Sequence, residues 1–165
     1  MRSNYPQHLK AFDYLGLHRY HLRFCTDTRQ RLLEEQSNVK LVLEQISRAA
    51  TENHFAVIAY CFMPDHLHLL VEGESDDSDC LMFIRKAKQY SGFYFSKARG
   101  RRLWQRYGYE GVVRDDKITM DVARYVLSNP VRAGIVSDVR DYPFAGSLKY
   151  PLDEILERLI DPRSA

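Results

Sequence analysis

The stretch Phe62–Val71, with the sequence FMPDHLHLLV, predicts a β-strand that begins after a Pro-Asp turn and carries two histidines. Side chains on a strand alternate between its two faces, so His66 and His68 point the same way. Two imidazoles about 7 Å apart along one strand face can converge on a divalent ion. The same pattern is also typical of an ordinary polar strand face, because two ligands rarely suffice to hold a metal. A metal site therefore needs a third ligand from elsewhere in the chain.

The residues around this stretch predict an antiparallel sheet. Phe55–Phe62 is a continuous apolar run typical of a buried central strand, and His66–Glu72 is expected to return antiparallel beside it. Leu17–Cys25 alternates in the manner of a half-buried strand. Its two predicted faces carry Tyr20, Leu22 and Phe24 on one side and Arg19, His21 and Arg23 on the other. Since His18 and His21 fall on opposite faces, we interpret both as surface or groove residues.

Apolar residues at helical spacing predict the remaining elements. Helices are expected at about 32–53, at 80–98, from 116 or 119 to 129, and as a short amphipathic stretch at 152–160. Gly100 is expected to end the second helix, and Pro130 to end the third at Asn129. Between these two helices, residues 103–109 and 111–114 predict short extended pieces joined by a turn.

Length and composition indicate one globular domain. The chain has 165 residues, 45% hydrophobic and 28% charged, which suits a single packed core and excludes a disordered chain. We assign residues 1–165 to one domain, with a core at about 16–148 and a C-terminal tail at 149–165. Three cysteines without a C-x-x-C pair predict reduced core thiols. Neither a signal peptide nor a membrane-length apolar run is found, so we expect a cytoplasmic protein without a membrane partner.

The charge is segregated along the chain. Cys80–Tyr109 contains no Asp or Glu but eight Lys and Arg residues, whereas Glu72–Asp79 is acidic. Such segregation predicts a face that binds a polyanion; the alternative is a solvated helix. Trp104, with tyrosine and arginine neighbours, is either a platform on which bases stack or an ordinary aromatic packing cluster.

Tyr125 and Asn129 are four residues apart and therefore share one face of the third predicted helix. A carboxamide oxygen is a reasonable third ligand for a hard ion such as Mg2+ or Mn2+, and the phenol would then stand beside the metal. Tyrosine is a weak nucleophile because its ordinary pKa is about 10, but it can attack a phosphate that a metal polarises. Tyr90 and Tyr94 are rivals for this role, and neither has a metal-binding side chain four residues on.

Three motifs occur in a fixed order: PDHLHLL at 64–70, LWQ at 103–105, and RYVLSNPVRAG at 124–134. This combination resembles the REP-associated tyrosine transposases, which are domesticated relatives of the single-tyrosine HUH (IS200-like) transposases of insertion sequences. The resemblance implies an α+β fold, a ferredoxin-like α/β sandwich with a central antiparallel sheet and helices packed mainly on one face. It also implies that His66, His68 and Asn129 bind the metal and that Tyr125 is the nucleophile.

The resemblance further implies an activity and a partner. Enzymes of this kind cut single-stranded DNA near hairpins by tyrosine attack, leave a 5′-phosphotyrosine and a free 3′-hydroxyl, and rejoin the strand by the reverse exchange. They act at the nucleoid, as monomers or as homodimers, and the sequence leaves both oligomeric states open for this chain. From charge and placement we expect DNA contacts from Lys86, Lys88, Arg101, Arg102, Trp104 and Arg132. Two rival hypotheses are a catalytically silent nucleic-acid-binding module of the same fold and a metal-dependent phosphodiesterase that uses activated water.

Overall fold

A computed structural model describes residues 12–113 and 116–160. The strands of the described chain are β1 (Arg19–Cys25), β2 (Phe55–Met63), β3 (His66–Gly73), β4 (Tyr109–Val113) and β5 (Ala145–Gly146). Its α-helices are α1 (Gln36–Glu52), α2 (Cys80–Arg99), α3 (Asp116–Leu127), α4 (Asn129–Arg132) and α5 (Leu152–Ile160). The ends of the predicted domain, 1–11 and 161–165, lie outside this description, as do residues 114–115. Within the described part, no helix is both long and apolar enough to cross a membrane.

The strands form one antiparallel sheet in the order β4-β1-β3-β2-β5. The predicted hairpin is confirmed, because β2 and β3 pair directly across the Pro64-Asp65 turn, with Met63 opposite His66. β1 lies on the other side of β3, with Cys25 opposite His66 and Arg23 opposite His68. The histidine-bearing strand is therefore the central strand of the sheet.

The two faces of the sheet bury different helices. On one face, the fully buried side chains of Tyr20, Leu22 and Phe24 pack beneath the long helices α1 and α2. On the other face, the apolar side chains of β2 and β3 pack beneath α3 and α5, through residues such as Val126 and Ile155. The α+β fold class is confirmed, and the predicted tail supplies α5 to the second core. All three cysteines are buried and outside disulfides, as predicted for core thiols.

The helix ends follow local capping chemistry. The side chain of Asp79 accepts a hydrogen bond from the backbone N–H of Met82 at 2.9 Å and so begins α2. Gly100 ends it with a φ of 68°, a left-handed conformation that glycine adopts without steric cost. The first helix begins at Gln36, later than predicted, and in the segment before it the backbone N–H of Leu33 donates to the carbonyl of Pro64 at 2.9 Å.

Two predictions about irregular segments are wrong. Pro130 does not end a helix: α3 already ends at Leu127, and Pro130 lies in the first turn of α4, where its missing N–H and fixed φ are tolerated. The turn expected between 109 and 111 is absent, because Gly111 lies inside β4. Of the extended piece predicted at 103–109, Trp104 makes an isolated bridge to Thr26 at the end of β1.

Candidate active site

The structure brings His66, His68 and Tyr125 together within one chain. The two imidazole centroids on β3 are 4.9 Å apart, and the Tyr125 ring on α3 meets His68 edge-on at 5.7 Å. His68 is buried, whereas Tyr125 is 43% exposed and open to a substrate. A cleft of about 510 Å³ lies between the sheet and α3, and His68 and Tyr125 line it. The rival tyrosine Tyr90 lies on α2, where its hydroxyl donates to Glu52 at 2.7 Å.

His21 is a member of the site that sequence reasoning missed. Its Nε2 atom lies 3.0 Å from Nδ1 of His68, and its ring centroid is 5.7 Å from that of Tyr125. Arg23 and Asp121 also line the cleft. The signal in the sequence was the polar face of β1, which carries both His21 and Arg23, but only the pairing of β1 with β3 turns that face toward His68.

Asp65 holds His66, the other histidine of the predicted metal site. Its Oδ1 atom accepts a hydrogen bond from Nδ1 of His66 at 2.6 Å, and its Oδ2 atom accepts one from Nε of Arg29 at 2.8 Å. Burial alone would raise the pKa of Asp65, but the hydrogen bonds from His66 and Arg29 outweigh it and hold the pKa below its usual value. A carboxylate that accepts from the second nitrogen of a histidine fixes its tautomer and ring orientation, and this arrangement is common around metal-binding histidines.

The turn that carries Arg29, the partner of Asp65, has a strained backbone. Thr28 and Arg29 have positive φ angles of 52° and 58°, a left-handed conformation that non-glycine residues rarely adopt. Such a conformation persists where the surroundings enforce it. Here the hydroxyl of Thr26 lies 2.6 Å from the carbonyl of Gln30 and 3.0 Å from that of Asp65, which ties the turn to the start of β3. The strained turn thus presents Arg29 to Asp65.

The three imidazoles are neutral at physiological pH. Burial, followed by the charge of Arg23, lowers the pKa of His21 to about 4. Burial and the neighbouring His66 lower the pKa of His68 to about 3. Burial also lowers the pKa of His66, although the hydrogen bond to Asp65 opposes it. A neutral imidazole has a lone pair on one nitrogen, which is the form that binds a metal.

Arg132 and Asn129 hold Tyr125 from the helix end. The guanidinium carbon of Arg132 lies 4.0 Å from the centre of the Tyr125 ring, a cation–π contact. The side-chain nitrogen of Asn129 donates to the carbonyl of Tyr125 at 3.0 Å, and its oxygen accepts from Arg132 at 3.0 Å. The carboxamide predicted as a metal ligand is therefore engaged by Arg132 through one of its oxygen's two lone pairs.

The donor set fits a divalent cation. His66 and His68 are both engaged through Nδ1, which leaves their Nε2 atoms for a ligand. Among the described residues, no group of three His, Cys, Asp or Glu side chains could hold a metal. The oxygen of Asn129, predicted from the sequence as the third ligand, is of the type that hard ions accept. Its role as a ligand remains a prediction.

The predicted DNA-binding arginines lie at exposed positions. Arg101 donates to the side chain of Gln30, and Arg102, 61% exposed, lies 3.9 Å from Asp27. The loop that carries them is joined to the end of β1, because the N–H of Asp27 donates to the carbonyl of Leu103 at 2.8 Å. Both arginines therefore lie at the end of the sheet where His66 begins β3, and Arg132 lies at the tyrosine itself.

The two lysines that were predicted to contact DNA, Lys86 and Lys88, make contacts within the protein. Lys86 lies 3.5 Å from Glu52, which links α2 to α1 on the face of the sheet opposite His68. Lys88 donates from Nζ to the carbonyls of Gln105 and Arg106 at 2.8 and 3.3 Å. Burial lowers the pKa of Lys88 to about 8. The structure thus gives both lysines a role in holding the helix layer and the loop after α2.

Trp104 does not present a stacking surface. It is 4% exposed, its ring packs edge-to-face against Phe24 at 5.7 Å, and its indole N–H donates to Ser91 at 2.8 Å. The prediction that Trp104 stacks on DNA bases is corrected, because the surrounding core already covers the ring. The alternative that the sequence left open, an ordinary aromatic packing cluster, describes it.

The family of the chain follows from its sequence. The family model described as "Transposase IS200 like" matches residues 15–129, more than half of the chain and a range that includes His66, His68, Tyr125 and Asn129. The chain belongs to the IS200-like transposase family. The resemblance inferred from the three motifs is thereby confirmed.

Curated relatives of this IS200-like chain carry consistent names. A Haemophilus influenzae protein provisionally named a REP-associated tyrosine transposase is 33% identical over 102 residues, which cover 55% of this chain and 58% of that protein. The REP-associated tyrosine transposase of Escherichia coli K12 is 29% identical over 121 residues, which cover 71% of this chain and 68% of that one. The chain thus aligns with little more than half of the Haemophilus relative's length.

Two solved structures share the fold. The structure of a REP-associated tyrosine transposase bound to a REP hairpin superposes with a TM-score of 0.68 at 23% identity, covering 82% of this chain and 81% of that one. A crystal structure of a provisionally named transposase from Deinococcus radiodurans R1 gives a TM-score of 0.51 at 21% identity, covering 71% of this chain and 94% of that one. At these identities the likeness concerns the fold.

Proposed function

We propose that this IS200-like chain is a metal-dependent enzyme that nicks and rejoins single-stranded DNA through a covalent bond to Tyr125. The observation that carries the proposal is the meeting of the Tyr125 ring with His68 at 5.7 Å, in an open cleft of a single chain. The rings of His68 and His21 both lie 5.7 Å from that of Tyr125, and His68 keeps its Nε2 atom for a metal.

The proposed reaction is an exchange of phosphodiester partners. The hydroxyl oxygen of Tyr125 attacks the scissile phosphorus, the bond from phosphorus to the 3′-oxygen breaks, and that oxygen leaves with a proton as a free 3′-hydroxyl. The 5′-phosphate stays on the tyrosine as an ester. Attack by a 3′-hydroxyl on this ester reverses the step and rejoins the strand, so no external energy source is needed.

The chain's own residues bind and orient the reactants. Mg2+ or Mn2+, held by His66, His68 and the oxygen of Asn129, would neutralise charge on the scissile phosphate when bound. Arg132 fixes the Tyr125 ring through the contact at 4.0 Å, so that less orientational freedom is lost when the hydroxyl attacks. Partial exposure of Tyr125 lets the strand reach it.

We propose single-stranded DNA beside a hairpin as the substrate. One solved relative of the same fold is bound to a REP hairpin. Arg23 lines the cleft, and Arg101 and Arg102 lie at the same end of the sheet as His66. Phosphate contacts from such arginines fix the register of a strand without reading its bases.

A catalytically silent DNA-binding module of the same fold is the second candidate. It is favoured by one specific observation, the hydrogen bond from Arg132 to the oxygen of Asn129 at 3.0 Å, which engages one of the two lone pairs of the third proposed ligand. Such a module would use the arginine surface in the same way and would form no covalent bond to DNA.

The deciding experiment is a denaturing gel of the protein with Mn2+ and hairpin DNA that is labelled at its 3′ end, the end that stays on the tyrosine, and is taken from the sequence flanking its own gene. We expect label to comigrate with the wild-type protein and to be absent for Tyr125→Phe, with Tyr94→Phe as the matched control that keeps the adduct. Cleavage that persists in Tyr125→Phe would instead indicate activated water. Binding without any cleavage would favour the silent module.

A further inference from the structure

His68 and His21 form a hydrogen-bonded imidazole pair in the floor of the site. Nε2 of His21 lies 3.0 Å from Nδ1 of His68, and the two rings are inclined by only 18°. His68 is 3% exposed, so its ring is confined by the surrounding protein. The contact crosses from β1 to β3 and adds His21, which lies outside the three sequence motifs, to the site.

The protons of this pair are fixed by what each nitrogen must do. A neutral imidazole carries one N–H and one lone pair. If Nε2 of His68 provides a lone pair to a ligand in the cleft, the proton of His68 must reside on Nδ1. That N–H then donates to Nε2 of His21, which must be the acceptor, so the proton of His21 must reside on its own Nδ1.

We propose that His21 is a positioning residue that fixes the tautomer and the ring orientation of His68 for metal binding, an inference that rests on the proposed function. Asp65 does the same for His66 through Nδ1 at 2.6 Å. The two ligand histidines are thus held by the same atom, one by a carboxylate and one by an imidazole, and both present Nε2. Partners of this kind orient the ligands themselves.

The first test is direct observation of the tautomers. Long-range proton–nitrogen NMR spectra of the metal-free protein at neutral pH distinguish imidazoles protonated on Nδ1 from those protonated on Nε2. We expect His21 and His68 both to be protonated on Nδ1, and His68 to shift to the Nε2 tautomer in His21→Leu, which offers no acceptor. A wild-type His68 protonated on Nε2 would overturn the proposal.

The second test is metal affinity, measured by calorimetric titration of each variant with Mn2+ in the absence of DNA. His21→Leu is expected to weaken binding by about 10- to 100-fold, the usual effect of losing such a partner. His21→Gln places an amide oxygen near the position of Nε2 and should restore most of the affinity. His18→Gln is the matched control, because His18 packs against Phe12 and Tyr20, outside the site.

The variants separate this inference from the proposed function. Equal Mn2+ affinity for wild type and a folded His21→Leu would refute the positioning role, even if wild type still forms the tyrosine adduct. Normal tautomers and Mn2+ binding without an adduct would refute the proposed reaction and leave the positioning role standing. Thermal melts followed by circular dichroism check that the His21→Leu variant folds. If that variant does not fold, the comparison passes to His21→Gln: binding of Mn2+ by His21→Gln that is no tighter than binding by His68→Ala would overturn the proposal.

Discussion

Replacement of Trp104 by alanine distinguishes a packing role from a DNA-stacking role by magnitude. The ring is 4% exposed and packs on Phe24, so its removal should lower the free energy of unfolding by about 3–5 kcal/mol. That is a large part of the roughly 5–15 kcal/mol by which domains are stable. Trp104→Phe keeps an aromatic ring but loses the hydrogen bond from the indole N–H to Ser91. This substitution should lower the free energy of unfolding by about 1–2 kcal/mol.

The assay combines urea denaturation with DNA binding. Because Trp104 is the single tryptophan of the chain, unfolding is followed by far-ultraviolet circular dichroism. Affinity for a labelled hairpin is measured by anisotropy under conditions where each variant is folded, and we expect it to be unchanged in Trp104→Ala. Loss of a base-stacking ring would weaken binding by about 5- to 150-fold, from 1–3 kcal/mol per base.

Phe93 provides the matched control for this pair of measurements. It is an aromatic residue of the same acid-free segment and is 61% exposed, so Phe93→Ala should change the free energy of unfolding by less than about 1 kcal/mol. A Trp104→Ala protein that is nearly as stable as wild type but binds the hairpin at least about 5-fold more weakly would refute the packing argument.

Three further predictions concern the site and the loop after α2. Arg132→Gln should slow formation of the Tyr125 adduct by about 2- to 30-fold, the equivalent of a cation–π contact of 0.5–2 kcal/mol, in single-turnover gels; an unchanged rate would contradict the orienting role. Chelation with EDTA should abolish the adduct and added Mn2+ should restore it, whereas an adduct that survives EDTA would exclude metal dependence. Folding lowers the pKa of Lys88 from 10.5 to about 8, so the native state binds fewer protons than the unfolded state between about pH 8 and 10.5. Over that window the free energy of unfolding should rise with pH relative to Lys88→Met; parallel curves from urea titrations at several pH values would contradict this.

The sequence predicts the parts of the site that depend on local periodicity. His66 and His68 share a face because side chains on any strand alternate, and the Pro64-Asp65 turn follows from residue preference. Tyr125 was preferred over Tyr90 because of Asn129, one helical turn away, and the structure places Tyr125, not Tyr90, beside His68. Each of these inferences needs only residues close together in the chain.

The features that the sequence does not predict depend on contacts between segments that are distant in the chain. The role of His21 requires the register of β1 on β3, which is set by pairing across about fifty residues rather than by the polar face alone. The sequence around Trp104 is compatible with both stacking and packing, and the contact with Phe24 that decides for packing forms only because the loop after α2 folds back on β1. Pro130 predicts the end of a helix because the residue before a proline disfavours helix, yet α3 ends earlier and Pro130 suits the start of α4.

The meeting of Tyr125 and His68 within one polypeptide has a genetic consequence. Every molecule carries both the proposed nucleophile and the imidazole beside it, so two inactive proteins, one with Tyr125→Phe and the other with His68→Ala, should not complement each other when they are mixed or co-expressed. A defective allele should accordingly be recessive, because an intact protein does not need a second subunit to supply the helix that carries Tyr125. Selection can then act on each copy of the gene separately.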